Sequence, residues 1–340
     1  MKAVLATKPG GPEVLQIAEV PDPVPSAEQL LIHVRATALN RADLLQRLGR
    51  YPPSPGESDI LGLELAGDVV AMGSAVEGFQ IGDRIFALVS GGAYAQKAVV
   101  DYRMAIPIPE GMSYTEAAAI PEAFFTAHEV LFTCGRLTTG ETVLIHAAGS
   151  GVGTAAVQMA AHCGAHILAT ARTTEKLNLA RSLGAQDTYC CSDGLFAEWI
   201  RHRTEDRGVH LIVDPVGAAY WEANLNSLAT QGRLVVFGLL GGRSTAVDLS
   251  MILTKRLSII GTVLRSRSLA EKISLTQEFK ARWLPLLARK VLRPVIDSVF
   301  PWDRVADAHR YMEANRNLGK IVLVIDDSSQ RCEASHSDPT

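Results

Sequence analysis

The sequence is short of the features that mark several protein classes. Among 340 residues there are five cysteines, Cys134, Cys163, Cys190, Cys191 and Cys332. An odd number spread over so long a chain is no disulfide framework and fits a reducing compartment. Cys-x-x-Cys is absent, which removes the spacing of a four-cysteine zinc site. Neither charge sign dominates: 33 basic against 36 acidic residues leave −3, too little positive charge for a protein whose main work is neutralising nucleic-acid phosphates. No apolar run approaches the roughly 20 residues of a membrane span. The N-terminus, MKAVLATKPGGPEVLQ, reaches Pro9 before any long apolar stretch and does not read as a secretory signal. The expectation is a soluble, cytoplasmic protein with no nucleic-acid or membrane partner.

What is present is ordinary globular composition, 47% hydrophobic and 20% charged, at a length that suggests two domains. The first third alternates apolar and polar residues between Gly/Pro turn signals, as at 14–20, 30–36, 64–71 and 83–89, which predicts antiparallel strands. A helical patch at 40–48 and a Pro-rich loop at 51–58 interrupt them. Ser113 with Glu116 makes a capping-box start, and a helix should run from about 115 into the 130s, bent at Pro121. Strands at 142–146, 165–171, 209–213, 233–237 and 257–261 then alternate with helices at 151–162, 174–182 and 220–229. That alternation implies a parallel sheet covered on both faces. A long helix from about 269, a Pro-punctuated strand, a helix at 303–314 and a strand at 320–325 follow. The reading divides the chain into 1–122, 123–265, a return to the first domain over 266–326, and a polar tail at 327–340.

The strand ending at His146 runs into Ala147-Ala148-Gly149-Ser150-Gly151-Val152-Gly153 and a helix. Small residues let the backbone turn sharply and approach a pyrophosphate, which the helix N-terminus favours. Aligned on Gly153, the first two glycines of G-x-G-x-x-G become Ala148 and Ser150, so a tight packing turn is the plainer alternative. Within a strand–helix series the dinucleotide reading prevails. The next strand ends at Arg172 with no carboxylate for the ribose 2′-hydroxyl of NAD. Arg172 and Lys176 are placed to meet a 2′-phosphate, which argues for NADPH, while Glu175 argues the other way. The loops after later strands, Asp214 to Gly217 with Val216, and Phe237-Gly238-Leu239, should touch the cofactor. His146 reads as a satisfied core histidine, and Asp43 with Arg47 as an i,i+4 ion pair.

Several segments, in order, carry a resemblance: Ala38-Leu39-Asn40-Arg41-Ala42-Asp43 with Arg47, Gly49 and Tyr51; Leu61-Gly62-Leu63-Glu64; Ala119-Ile120-Pro121-Glu122-Ala123; Ser150-Gly151-Val152-Gly153-Thr154-Ala155-Ala156; Leu264-Arg265-Ser266-Arg267; and Tyr311-Met312-Glu313-Ala314-Asn315 with Gly319-Lys320-Ile321-Val322. Over about residues 1–325 the chain resembles the zinc-free quinone oxidoreductases of the medium-chain dehydrogenase/reductase superfamily, in the subgroup typified by the tumour-suppressor-inducible quinone oxidoreductase. The resemblance implies an α/β fold: a GroES-like β domain for the substrate, a Rossmann doubly wound domain for NADPH, and an active site in the cleft between them. It also implies a homodimer through the cofactor domain, with 234–240 and 258–264 supplying the edge. The superfamily's zinc enzymes carry a Cys where Asn40 stands and a His where Leu63 stands, so no metal is expected.

By the same resemblance Asn40 lines the cleft as an amide donor. Tyr51 offers a hydrogen bond or a proton, with solvent protonation as the alternative because a phenol of pKa about 10 is a weak acid. Thr126 lies beside the nicotinamide. Leu264, Arg265 and Asn315 join the cofactor contacts, with a basic surface pair as an equal alternative for Arg265 and Arg267. Relatives often carry a Tyr where Cys191 stands, so NADPH should be held less firmly, with Arg172 compensating. The implied activity is NADPH-dependent quinone reduction. The alternatives are a reductase of enones or 2-alkenals and a non-catalytic NADPH-binding or structural protein.

Overall fold

A computed structural model describes residues 1–191 and 194–325; the tail read at 327–340, with Cys332, lies outside the described residues. The chain divides into two compact units. One comprises Met1–Glu122 and the chain from Ile296, the other Ala123–Val295. The return to the first unit thus comes at Ile296, not at 266. The helix Leu269–Ala288 packs on the second unit: the ring of Phe279 lies 4.3 Å from that of Phe125, and Trp283 Nε1 donates to His128 Nδ1 at 2.9 Å. Its apolar periodicity shows that one face is buried, not against which partner.

The first unit is built on a seven-stranded sheet. Its order is Ile296–Pro301, Lys320–Val324, Gln29–Ala38, Glu64–Met72, Arg84–Leu88, Ala105–Pro107, with Lys97–Asp101 also paired to Gln29–Ala38. All pairings are antiparallel except Ile296–Pro301 with Lys320–Val324. The period-2 pattern is obeyed: Leu30, Ile32, Val34 and Ala36 turn inward from one strand.

The second unit holds a six-stranded, wholly parallel sheet in the order Asp187–Cys190, His166–Ala171, Thr142–Ile145, Val209–Asp214, Leu228–Val236, Ser258–Gly261. Numbered along the chain this is 3-2-1-4-5-6, the doubly wound arrangement whose order reverses between Thr142–Ile145 and Val209–Asp214. The helix expected from 115 is divided into Tyr114–Ala118 and Pro121–His128, the latter continuing as a π turn over Glu129–Thr133. The strand Asp187–Cys190 and the helices Ala197–Arg203 and Leu249–Lys255 were not anticipated. No helix among the described residues is long and apolar enough to cross a membrane.

Asp43 and Arg47, on the helix Arg41–Arg47, do not pair with each other. Both are buried, and each finds partners from elsewhere in the first unit. Arg47 donates to Gly10 O at 2.9 Å, meets His309 Nδ1 at 3.1 Å and pairs with Glu313. Asp43 accepts from the backbone N–H groups of Asn40 (2.7 Å) and Gly62 (3.1 Å) and from the Tyr94 hydroxyl (3.3 Å). An i,i+4 pair presumes an exposed helix face, which this helix does not offer here.

Burial lifts the Asp43 carboxyl to about 6, the backbone N–H groups of Asn40 and Gly62 opposing it. Burial, then the Arg47 charge, pushes His309 down to about 3. Below the ordinary histidine value of 6.5 the unfolded chain binds a proton that folded His309 refuses, so its contribution falls as pH drops. Between about 6 and 3.8, folded Asp43 holds a proton that the unfolded chain lacks, so its contribution rises as pH drops. The two oppose each other. Asp43→Asn should therefore lose on the order of 1 kcal/mol more stability than wild type on going from pH 6 to pH 5. Urea unfolding at the two pH values measures this, and equal losses would refute the assignment.

Candidate functional site

The loop after Thr142–Ile145 is shaped by crowding. Ala147 adopts a positive φ of 50°, and Ser150 caps the helix Gly151–His162, its Oγ accepting from Gly153 N at 3.0 Å. A Cβ at Gly153 would lie 2.7 Å from Ala148 Cα and closer still to Ala147 O. Only glycine lets this helix start so near the turn. The first-turn N–H groups of a helix have no partner within it, which leaves those of Gly151 and Val152 for a ligand. The residues present therefore fit a dinucleotide's pyrophosphate.

The stem of Lys176 runs over this loop. A Cβ at Gly149 would meet Lys176 Cγ at 2.6 Å and Cβ at 2.7 Å. Lys176 is half-buried in the first turn of Thr174–Ser182, which Thr173 caps, while Arg172 is exposed. Thr126 is buried on Pro121–His128. Val216, Phe237 and Gly238 are half-buried and Leu239 is exposed. Their loops are laced together: Phe237 N donates to Asp214 O at 3.0 Å, Leu240 N to Pro215 O at 3.1 Å and Gly241 N to Val216 O at 2.7 Å.

In the first unit Asn40 meets a charged pair. Its Nδ2 donates to Glu64 Oε1 at 2.7 Å and to Ala38 O at 3.3 Å, and its Oδ1 accepts from Lys320 Nζ at 2.7 Å. Lys320 Nζ also donates to Glu64 Oε1 at 2.6 Å and Leu39 O at 2.9 Å. A carboxylate only accepts and an ammonium only donates, so the orientation of the amide is fixed. Both N–H bonds of Asn40 are spent on protein acceptors, which corrects its expected role as a donor to substrate. Tyr51 lies half-buried in the loop that follows the helix Arg41–Arg47.

Two family descriptions match the chain: "Alcohol dehydrogenase GroES-like domain" over residues 26–110 and "Zinc-binding dehydrogenase" over 151–281. A quinone oxidoreductase of Pseudomonas aeruginosa is 34% identical over 316 residues, 93% of this chain and 97% of the relative. The chain belongs to the medium-chain dehydrogenase/reductase superfamily. Among solved structures, mycobacterial Rv1454c complexed with NADPH matches with a TM-score of 0.86 and 28% identity, covering 96% of this chain and 100% of that one. The CurK enoyl reductase matches with a TM-score of 0.86 and 28% identity, over 96% and 99%. The antiparallel unit is thus the superfamily's GroES-like domain and the parallel unit its Rossmann domain.

The superfamily's zinc does not fit these residues. Leu63 is buried and has no donor atom, and the Lys320 ammonium already occupies Glu64 and Asn40, where a dication would meet a like charge. Among the described residues no cluster of three or more His, Cys, Asp or Glu side chains is placed to hold a metal.

Two further expectations, for Cys191 and for the pair Arg265 and Arg267, are corrected. Cys191 does not present its side chain to a cofactor. It is 1% exposed, in a core with Leu144, Phe196 and Ile200, and its carbonyl accepts from the Tyr220 hydroxyl at 3.3 Å. Strand alternation turns Tyr189 and Cys191 inward, Tyr189 stacking on Trp199, and leaves Cys190 exposed with Sγ 3.6 Å from Arg172 O. Arg265 and Arg267 are not a surface pair. Leu264 and Arg265 are buried, and Arg267 pairs with buried Glu129, which also accepts from Thr262 Oγ1 at 3.2 Å. Asn315 belongs to the GroES-like unit, where it follows the helix Val305–Glu313 at φ 55°. Its Oδ1 accepts from Arg41 and its Nδ2 donates to Glu313 O at 3.1 Å, which ties it to the helix end. Tyr220 was missed altogether: nothing in sequence links it to Cys191, 29 positions away.

Gly153→Ala should weaken dinucleotide binding at least tenfold and cost about 1–3 kcal/mol of stability, since the added methyl meets backbone. Fluorescence titration with NADPH and thermal unfolding check both, and wild-type affinity in the variant would refute the role of the close approach.

Proposed function

We propose that this oxidoreductase reduces quinones with NADPH and without a metal ion. The observation that carries the cofactor choice is the stem of Lys176 lying against Gly149, with Arg172 at the end of the neighbouring strand and no carboxylate there to take a ribose 2′-hydroxyl. In this reading the N–H groups of Gly151 and Val152 meet the pyrophosphate inside the loop that Ser150 and Gly153 shape, and Lys176 and Arg172 meet the 2′-phosphate. Thr126, Val216, Phe237, Gly238, Leu239, Leu264 and Arg265 surround the nicotinamide half. When bound, the cofactor supplies a hydride equivalent.

A quinone suits a site without Lewis acid. It is an electron-poor acceptor whose reduction spreads charge over a ring, so positioning and a few hydrogen-bond donors suffice. By the family resemblance Tyr51 is the donor assigned to the acceptor oxygen, with solvent protonation as the alternative. The quinone oxidoreductases similar to this chain support the acceptor class, and the enoyl reductase of the same fold favours activated alkenes as the second reading. A homodimer also belongs to the proposal, supported by the sheet-edge strand Ser258–Gly261 and the exposed apolar side chains Leu249, Leu253, Ile259 and Val263 around it.

Lys176→Ala should raise KM for NADPH at least tenfold and leave KM for NADH within about twofold; an equal effect on both would refute the 2′-phosphate role. On a panel of quinones, enones and 2-alkenals, kcat/KM should be highest for a quinone, and higher turnover of the enones would transfer the proposal to the second reading.

A further inference from the structure

We infer that four buried side chains, Thr170, His146, Asn224 and Asp214, form a hydrogen-bonded tether that sets the turn 214–217 for dinucleotide binding, and so act as positioning residues. The inference rests on the dinucleotide reading of the Rossmann unit. Asp214 Oδ1 accepts from Val216 N at 2.6 Å and Gly217 N at 3.2 Å. Its Oδ2 accepts from Asn224 Nδ2 at 2.9 Å. Asn224 Oδ1 lies 2.8 Å from His146 Nε2, and His146 Nδ1 lies 2.7 Å from Thr170 Oγ1. The direction of every bond follows. Asn224 spends its Nδ2 on a carboxylate, so its Oδ1 faces the histidine and accepts. His146 therefore carries its proton on Nε2, and Nδ1 accepts from the Thr170 hydroxyl.

None of the four is more than 1% exposed. The rings of Phe196 and Tyr220 close on His146 at 4.7 and 4.9 Å. Burial pushes His146 below its ordinary value and Asp214 above its own, and the N–H groups of Val216, Gly217 and Asn224 work to keep Asp214 ionised. Apolar side chains would fill the same space without any desolvation cost. What they would not supply is direction: two backbone N–H groups of one turn are pinned to one carboxylate, which is itself pinned through an amide and an imidazole to two neighbouring strands. The turn needs such a hold, since Gly217 sits at φ 79°, ψ −127°, a conformation closed to other residues.

The place of the tether joins it to a ligand. His146 follows Thr142–Ile145, Thr170 lies in His166–Ala171, Asp214 ends Val209–Asp214, and Asn224 comes from the helix Trp221–Ser227. The tether thus spans the carboxyl ends of the strands on either side of the order reversal, where open α/β sheets receive their ligands. It begins beneath the loop 147–153 and ends on the turn that holds 237–242 by backbone bonds.

The test compares Thr170→Val, which keeps shape and removes the hydroxyl, with Thr170→Ser, which keeps the hydroxyl, and adds Asn224→Leu. Thr170→Val should raise Kd and KM for NADPH at least tenfold with kcat at saturation within twofold, and Thr170→Ser should stay within twofold of wild type throughout. Without cofactor, amide exchange in Thr170→Val and Asn224→Leu should quicken at least tenfold at 214–217 and 237–242 and stay unchanged in Thr142–Ile145. Unchanged exchange at 214–217, or equal loss of affinity in Thr170→Ser, would overturn the tether. If wild-type protein fails to bind NADPH, the dinucleotide reading falls, and the exchange experiment still decides whether the tether holds the turn.

Discussion

At residue 153 the first helix of the parallel sheet comes so near its preceding turn that a Cβ would press into Ala147 and Ala148. The use proposed for the Rossmann unit depends on that closeness. It aims the helix N-terminus, with its N–H groups and positive dipole end, beyond the strand, where a pyrophosphate can meet backbone with no side chain intervening. It also lets Lys176 lie over Gly149, joining a cation to the loop. The glycine pattern departs from the usual spacing, yet the physical requirement falls on one position, and that position is met.

The GroES-like unit solves a different problem, that of burying charge. Lys320 and Glu64 are each less than 5% exposed, and the amide of Asn40 bridges them. Removing one partner of a buried pair typically costs about 3–5 kcal/mol, because the other charge is left without compensation. Asn40 is therefore held by the fold before any substrate arrives. The ammonium supplies locally the positive charge that a zinc ion would bring in other members of the superfamily, but with all three of its hydrogens committed it steadies the protein, not a reacting oxygen.

Much of this architecture was legible in the sequence. Apolar runs of strand length between helical patterns announced the parallel sheet, and small residues between His146 and the next helix announced the loop. What stayed hidden depends on distance along the chain or on strand phase. Asn40 meets Lys320 from 280 positions away, and Arg267 finds Glu129 across 138. Cys191 turns inward because a short strand, Asp187–Cys190, fixes the alternation, and its Asp-Thr-Tyr-Cys sequence carries no apolar run to declare it. His146 was read correctly as a satisfied histidine, but its partners come from a neighbouring strand and a helix. The long helix Leu269–Ala288 showed an apolar face without showing its partner.

The central claim is that a phosphorylated nicotinamide dinucleotide lies on this loop. A crystal structure of the wild-type protein soaked with NADPH tests it most directly. The account predicts density for the pyrophosphate against the backbone of residues 150–153, with the 2′-phosphate between Arg172 and Lys176. A nucleotide bound elsewhere, or a 2′-phosphate turned away from both cations, would contradict it.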